Sequence, residues 1–104
     1  NLPILIVLFN NYGYHSQKSG VPRFFPDGFA VKNQDFIGIS INPSPDYAMI
    51  ARAFEGYGEK VEEPGEVRAA LQRGLKAVAG GQVALIDIRL AKAAESNERP
   101  DRAN

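Results

Sequence analysis

At 104 residues, with 44% hydrophobic content, the chain is the size of one small globular domain. Its twelve basic and twelve acidic side chains cancel, which leaves no net field to draw it to nucleic acid or to an anionic membrane surface. The absence of cysteine excludes disulfides, thiolate metal sites and thiol nucleophiles, and suits a reducing, cytoplasmic setting.

The first element is read from "ILIVLF", Ile4 to Phe9. It is far shorter than the ~20 apolar residues of a membrane helix, and no basic stretch precedes it as in a signal peptide. Without polar alternation and rich in β-branched residues, it reads as a strand covered on both faces, central in a parallel sheet. Asn1 leads almost at once into this strand and the only methionine is Met49, so the expectation is a piece of a longer protein.

From Asn10 to Pro43 periodicity disappears among glycines, prolines and aromatics, apart from a short candidate strand at Phe36 to Ile41. A loop of this length in a small domain is usually functional or partly disordered. "SPDYAMIARAFEGYG" then predicts a helix. Ser44 caps it, Pro45 suits its first position and Asp46 complements its dipole, with Tyr47, Ile50, Ala51 and Phe54 as the buried stripe and Gly56 as the stop. A short strand is expected around Val61 in "EKVEE". Pro64 opens a second helix with Val67, Leu71, Leu75 and Val78 on one face, ended by Gly80 and Gly81, and "QVALIDIRL", Gln82 to Leu90, is the last strand.

Strands alternating with helices imply right-handed crossovers, so the fold class is α/β, part of a doubly wound parallel sheet with helices on both faces. Residues 1–90 are expected to form the folded module, and the polar stretch 91–104 to fray. Two helices and about three strands cannot cover both faces of a central apolar strand, so part of its surface should be covered by protein outside these residues.

Ligands of parallel α/β sheets bind beyond the carboxyl ends of the strands, where Asn10 and Asn11 fall. An asparagine carbonyl is a hard neutral ligand for magnesium or calcium, and Gly13 can present its backbone carbonyl unobstructed. Such a site normally includes a carboxylate, but the first acid in the chain is Asp27. Read alone, Asn-Asn is more often simply a turn at a strand end, which asparagine makes well.

"ILIVLFNNYGY" followed by "SPDYAMIARAFEGYGEKVEEPGEVRAALQRGLKAVAGGQVALIDIRL" resembles the C-terminal half of the diphosphate-binding module of thiamine diphosphate enzymes, most nearly the acetolactate synthase and benzoylformate decarboxylase branch. The likeness spans Leu2 to about Leu90. It implies a parent acting on 2-oxo acids by decarboxylation or carboligation, as a homodimer or homotetramer with active sites between subunits. In that family a motif running from Gly-Asp-Gly to Asn-Asn holds magnesium against the cofactor's diphosphate. Carried over, the resemblance makes Asn11 the side-chain metal ligand and Gly13 the carbonyl ligand, with Asn10 bracing the turn. Tyr12 and Tyr14 are weighed as walls of the cofactor pocket against the plainer reading of loop aromatics that anchor the loop to the core. No Gly-Asp-Gly occurs here; the family's would lie one crossover of roughly 30 residues upstream of the turn. The family's activating glutamate sits in another module, so the isolated chain is expected to be inactive.

His15, the only histidine, is a catalytic candidate by its nearness to Gly13, against the plainer reading of a structural loop side chain. Arg23 with Phe24 and Phe25 is weighed as a 2-oxo acid carboxylate pocket against a packed loop with a surface arginine. The acids of "EEPGE", Glu62 to Glu66, are assigned to the helix dipole. The alternative for the whole chain is a free-standing, non-catalytic α/β interaction module.

Overall fold

A computed structural model describes residues 2–90. They divide into two compact units, residues 2–10 with 45–90, and residues 11–44. The expected tail at 91–104 lies outside the described residues.

The first unit holds three parallel strands, β1 (Leu5–Asn10), β2 (Tyr57–Val61) and β3 (Ala84–Arg89), in the order β1-β3-β2. Helix α3 (Tyr47–Ala53) precedes β2, and a 3₁₀ turn (Pro64–Glu66) runs into α4 (Val67–Ala79) before β3. The two helices take opposite faces. On one, Ala70 and Gly74 of α4 meet Ile86, Ile88 and Val61, with Leu5, Val7 and Leu71 around them. A Cβ at Gly74 would come within 2.9 Å of Leu5 and 3.2 Å of Ile86, so glycine lets this helix lie close to the sheet. On the other face α3 rests on Gly58, where a Cβ would collide with the Ala48 carbonyl oxygen. The sheet is thus parallel with a helix on each face, as the alternation of elements implies.

Several expectations change. Strand β3, not β1, is central among the described strands, and β1 pairs only with β3. Its apolar run is accordingly not covered on both faces: Ile6 is 39% exposed and Phe9 66%. The helical stripes also shift toward small residues. In α3 the buried residue is Ala48, while Ile50 and Phe54 of the expected stripe are 49% and 85% exposed. In α4, Ala70 and Gly74 are buried and Leu75 is exposed. Close helix-on-sheet packing admits small side chains at the contact and leaves the large ones at its margins.

Caps move likewise. Asp46, not Ser44, caps α3, its carboxylate accepting from the Met49 N–H at 2.8 Å. Beyond its end Glu55, not Gly56, takes the left-handed conformation, with bonds from Glu55 N to Arg52 O and from Gly56 N to Ala51 O. This is a Schellman motif with glutamate at the position glycine usually holds. Gly81 takes that position after α4.

The second unit contains helices the sequence reading left as loop: α1 (His15–Phe24) and α2 (Phe29–Asn33). Neither buries a residue, and α1 carries Pro22 inside it, so no apolar period announces them. The strand expected at Phe36 to Ile41 is reduced to a single antiparallel bridge, Gly13 with Ser40. Lys18 Nζ lies 5.2 Å above the Phe36 ring. Among the described residues no helix is long and apolar enough to cross a membrane.

A locked turn at the end of the first strand

Asn10 closes β1 as its only buried residue. It is the register partner of Arg89, and its carbonyl accepts the Leu90 N–H at 2.9 Å. The strand thus ends one residue later than the sequence suggested, and Asn10 belongs to the sheet while Asn11 begins the turn.

Within residues 11–44 that turn is held from several directions. The Asn11 side-chain oxygen accepts from Gly13 N at 3.4 Å, an asparagine turn over two residues. Tyr12 has φ of 63°, a left-handed conformation that is uncommon and costly for a tyrosine. Its carbonyl accepts from Ile41 N at 2.9 Å, and Tyr14 N donates to Ile39 O at 2.8 Å, which brackets Gly13 against Ser40. A Cβ at Gly13 would lie 2.5 Å from the Ile39 carbonyl oxygen, so only glycine fits. His15 Nε2 lies 2.8 Å from the Asn11 backbone carbonyl and donates to it in the tautomer that carries its proton there.

The turn therefore gathers Asn11, Tyr12, Gly13 and His15, with Tyr14 half exposed at the start of α1. Asn11 Oδ1 retains a second lone pair beyond its bond to Gly13 N, so the turn can offer a cation this oxygen and the Gly13 carbonyl. Both donors are neutral and hard. Among the described residues no group of three or more histidines, cysteines or acids could hold a metal. The set thus fits part of a magnesium shell, one needing a carboxylate and phosphate oxygens from outside the turn.

Arg23 is not in this cluster. Its guanidinium lies 5.9 Å from the Phe24 ring centroid, and Phe24 and Phe25 are 72% and 68% exposed on an open apolar groove along α1. Glu66 stands at the N-cap of α4 without a side-chain capping bond.

Two features escaped the sequence reading. Asp87, in the middle of β3, is wholly buried, and its Oδ2 accepts from Arg89 Nε at 2.8 Å. The only trace in the sequence is an acid interrupting "ALIDI". Glu59 is gripped by Arg73, Nε to Oε2 at 3.1 Å and Nη2 to Oε1 at 2.5 Å, and accepts the Tyr57 hydroxyl at 2.6 Å. The Arg73 bonds hold the Glu59 carboxyl below the ordinary range, and burial first, then Glu59, raise the Tyr57 hydroxyl.

Ligands of parallel α/β sheets bind beyond the carboxyl ends of the strands, the position in the chain that this turn occupies after β1. Residues 1–88 match the family model described as thiamine pyrophosphate enzyme, C-terminal TPP binding domain. The chain belongs to this family of thiamine diphosphate-binding domains. No solved structure gives a significant match to the chain.

Proposed function

We propose that this domain serves a thiamine diphosphate-dependent enzyme of 2-oxo acids, of the acetolactate synthase and benzoylformate decarboxylase kind, where it binds magnesium and the cofactor's diphosphate. The carrying observation is the turn itself. Asn11 Oδ1 accepts from Gly13 N, and the backbone there admits no side chain at Gly13, which supports the two residues as neighbouring oxygen donors.

In this reading Asn11 Oδ1 and the Gly13 carbonyl hold the cation, Asn10 anchors the turn to the sheet, and Tyr12 and Tyr14 border the cofactor. His15 keeps the Asn11 carbonyl directed into the turn. The remaining carboxylate comes from a Gly-Asp-Gly segment of the complete protein. When bound, thiamine diphosphate supplies the electron sink for 2-oxo acid chemistry, and the protein orients it. The active protein is a cytoplasmic homodimer or homotetramer that acts by decarboxylation or carboligation.

The test is Asn11→Ala in the full-length protein, with thiamine diphosphate titrated at several magnesium concentrations. Magnesium-dependent affinity should fall roughly tenfold or more, the usual scale for disturbing a metal shell. Unchanged affinity would remove the metal role. The rival reading, a non-catalytic interaction module, draws on the exposed apolar residues Ile4, Ile6 and Phe9 of the first unit, and would take over in that event.

A further inference from the structure

Residues 11–26, the turn with α1, contain no acid; their cations are Lys18 and Arg23. Arg23 is exposed and lies toward the Phe24 ring, whereas Lys18 is half-buried. His15, three residues before Lys18, reaches the Asn11 carbonyl at 2.8 Å, so this face of α1 closes on the turn. Helical spacing of i, i+3 sets Lys18 beside it.

The Lys18 ammonium stands 5.2 Å from the centre of the Phe36 ring. Phe36 begins the stretch that shuts the turn. Its carbonyl accepts from Ile39 N at 3.3 Å, Ile39 O takes the Tyr14 N–H at 2.8 Å, and Ile41 N donates to Tyr12 O at 2.9 Å. All of these contacts lie within residues 11–44. Among the described residues Lys18 has no carboxylate partner. The ring attracts a cation but cancels none of its charge, and leaves three N–H donors for an anion or water.

Packing alone does not call for a lysine here, because a leucine or methionine would cover Phe36 without the cost of partly burying a charge. The ligand expected at the turn gives that charge a use. Asn11 Oδ1 and the Gly13 carbonyl are neutral donors, and a diphosphate ester carries more negative charge than one divalent cation cancels.

We propose that Lys18 binds the terminal phosphate of thiamine diphosphate held at this turn, supplying the positive charge that the neutral donors lack. This rests on the reading of the turn as the cofactor's magnesium and diphosphate site. Phe36 restrains the flexible lysine stem, so the ammonium loses less freedom when the phosphate arrives.

The experiment titrates thiamine diphosphate into the full-length protein at saturating magnesium, by calorimetry, over a range of KCl concentrations. Lys18→Met keeps an unbranched stem over Phe36 and removes the charge. Its cofactor affinity should fall on the order of tenfold, and the dependence on KCl should flatten. Lys18→Arg, which keeps the charge and can stack on the ring, should restore most of the affinity. Phe36→Leu, which keeps the lysine, should lose much less than Lys18→Met. Parental affinity in Lys18→Met overturns the proposal. Equal losses in Lys18→Met and Phe36→Leu overturn it as well, since the contact is then purely structural. So does a raised KM for a 2-oxo acid with cofactor affinity unchanged, because Lys18 then reads the substrate carboxylate instead. Asn11→Ala in the same titration separates the two levels. If it weakens cofactor binding and Lys18→Met does not, the lysine role alone is lost; if only Lys18→Met weakens binding, the metal assignment fails and the phosphate role of Lys18 stands.

Discussion

His15 Nε2 sits 2.8 Å from the backbone carbonyl oxygen of Asn11, four residues earlier, so the only histidine of the chain closes the turn that it follows. A ring nitrogen that donates to this carbonyl cannot at the same time accept a proton from substrate. His15→Gln, which can still donate, should retain most of the cofactor affinity of the full-length protein. His15→Ala should lose a hydrogen bond worth ~0.5–1.5 kcal/mol and weaken magnesium-dependent cofactor binding several-fold. Equilibrium titration of both variants beside kcat decides the matter: a large fall in kcat with unchanged cofactor affinity in both would return His15 to a chemical role.

Gly13→Ala places a methyl group 2.5 Å from the Ile39 carbonyl oxygen, so the chain must shift to admit it. Overpacking of this kind costs ~1–3 kcal/mol. The expected result is cofactor binding that saturates only at much higher magnesium, with the sheet's circular dichroism unaltered. Parental magnesium dependence in Gly13→Ala would show that the turn has slack the structure does not suggest.

Gly58→Ala tests the opposite face of the first unit. The added Cβ meets the Ala48 carbonyl oxygen, which is backbone and cannot rotate away, so α3 must lift from β2. A loss of ~1–3 kcal/mol is expected in urea denaturation. Leu75→Ala is the control, because Leu75 is 56% exposed and its truncation should cost far less.

The Glu59 to Arg73 pair predicts a pH dependence of stability. Hydrogen bonding to Arg73 lowers the Glu59 carboxyl below its unfolded value, so its contribution is present above that value and disappears as pH falls through the folded one. Tyr57 has the opposite sign. Its hydroxyl is raised, so its contribution is complete below the unfolded tyrosine value and is lost as pH rises through the folded one. Thermal unfolding of Arg73→Met should show a shallower acid limb than the parent, because the variant lacks the main cause of the Glu59 shift. Superimposable acid limbs would show that the pair makes no difference to folding.

Much of the architecture follows from local patterns. "ILIVLF" makes a strand in almost any α/β context, Pro64 and the paired glycines bracket α4, and alternation of strands with helices leads to parallel pairing. The Asn-Asn turn at a strand end, the family resemblance and its match over residues 1–88 lie in contiguous residues for the same reason. Helices α1 and α2 were not legible, because each buries no residue and a helix without an apolar face has no period to read.

Only the tertiary structure decided which strand is central, which helical residues are small enough to touch the sheet, and what surrounds the turn. These are contacts between residues far apart in sequence. Ile39 closes over Gly13, Ala48 lies on Gly58, and Arg89 reaches back to Pro45. Each depends on how two backbones approach, and side-chain periodicity along one segment carries no record of what the fold brings against it.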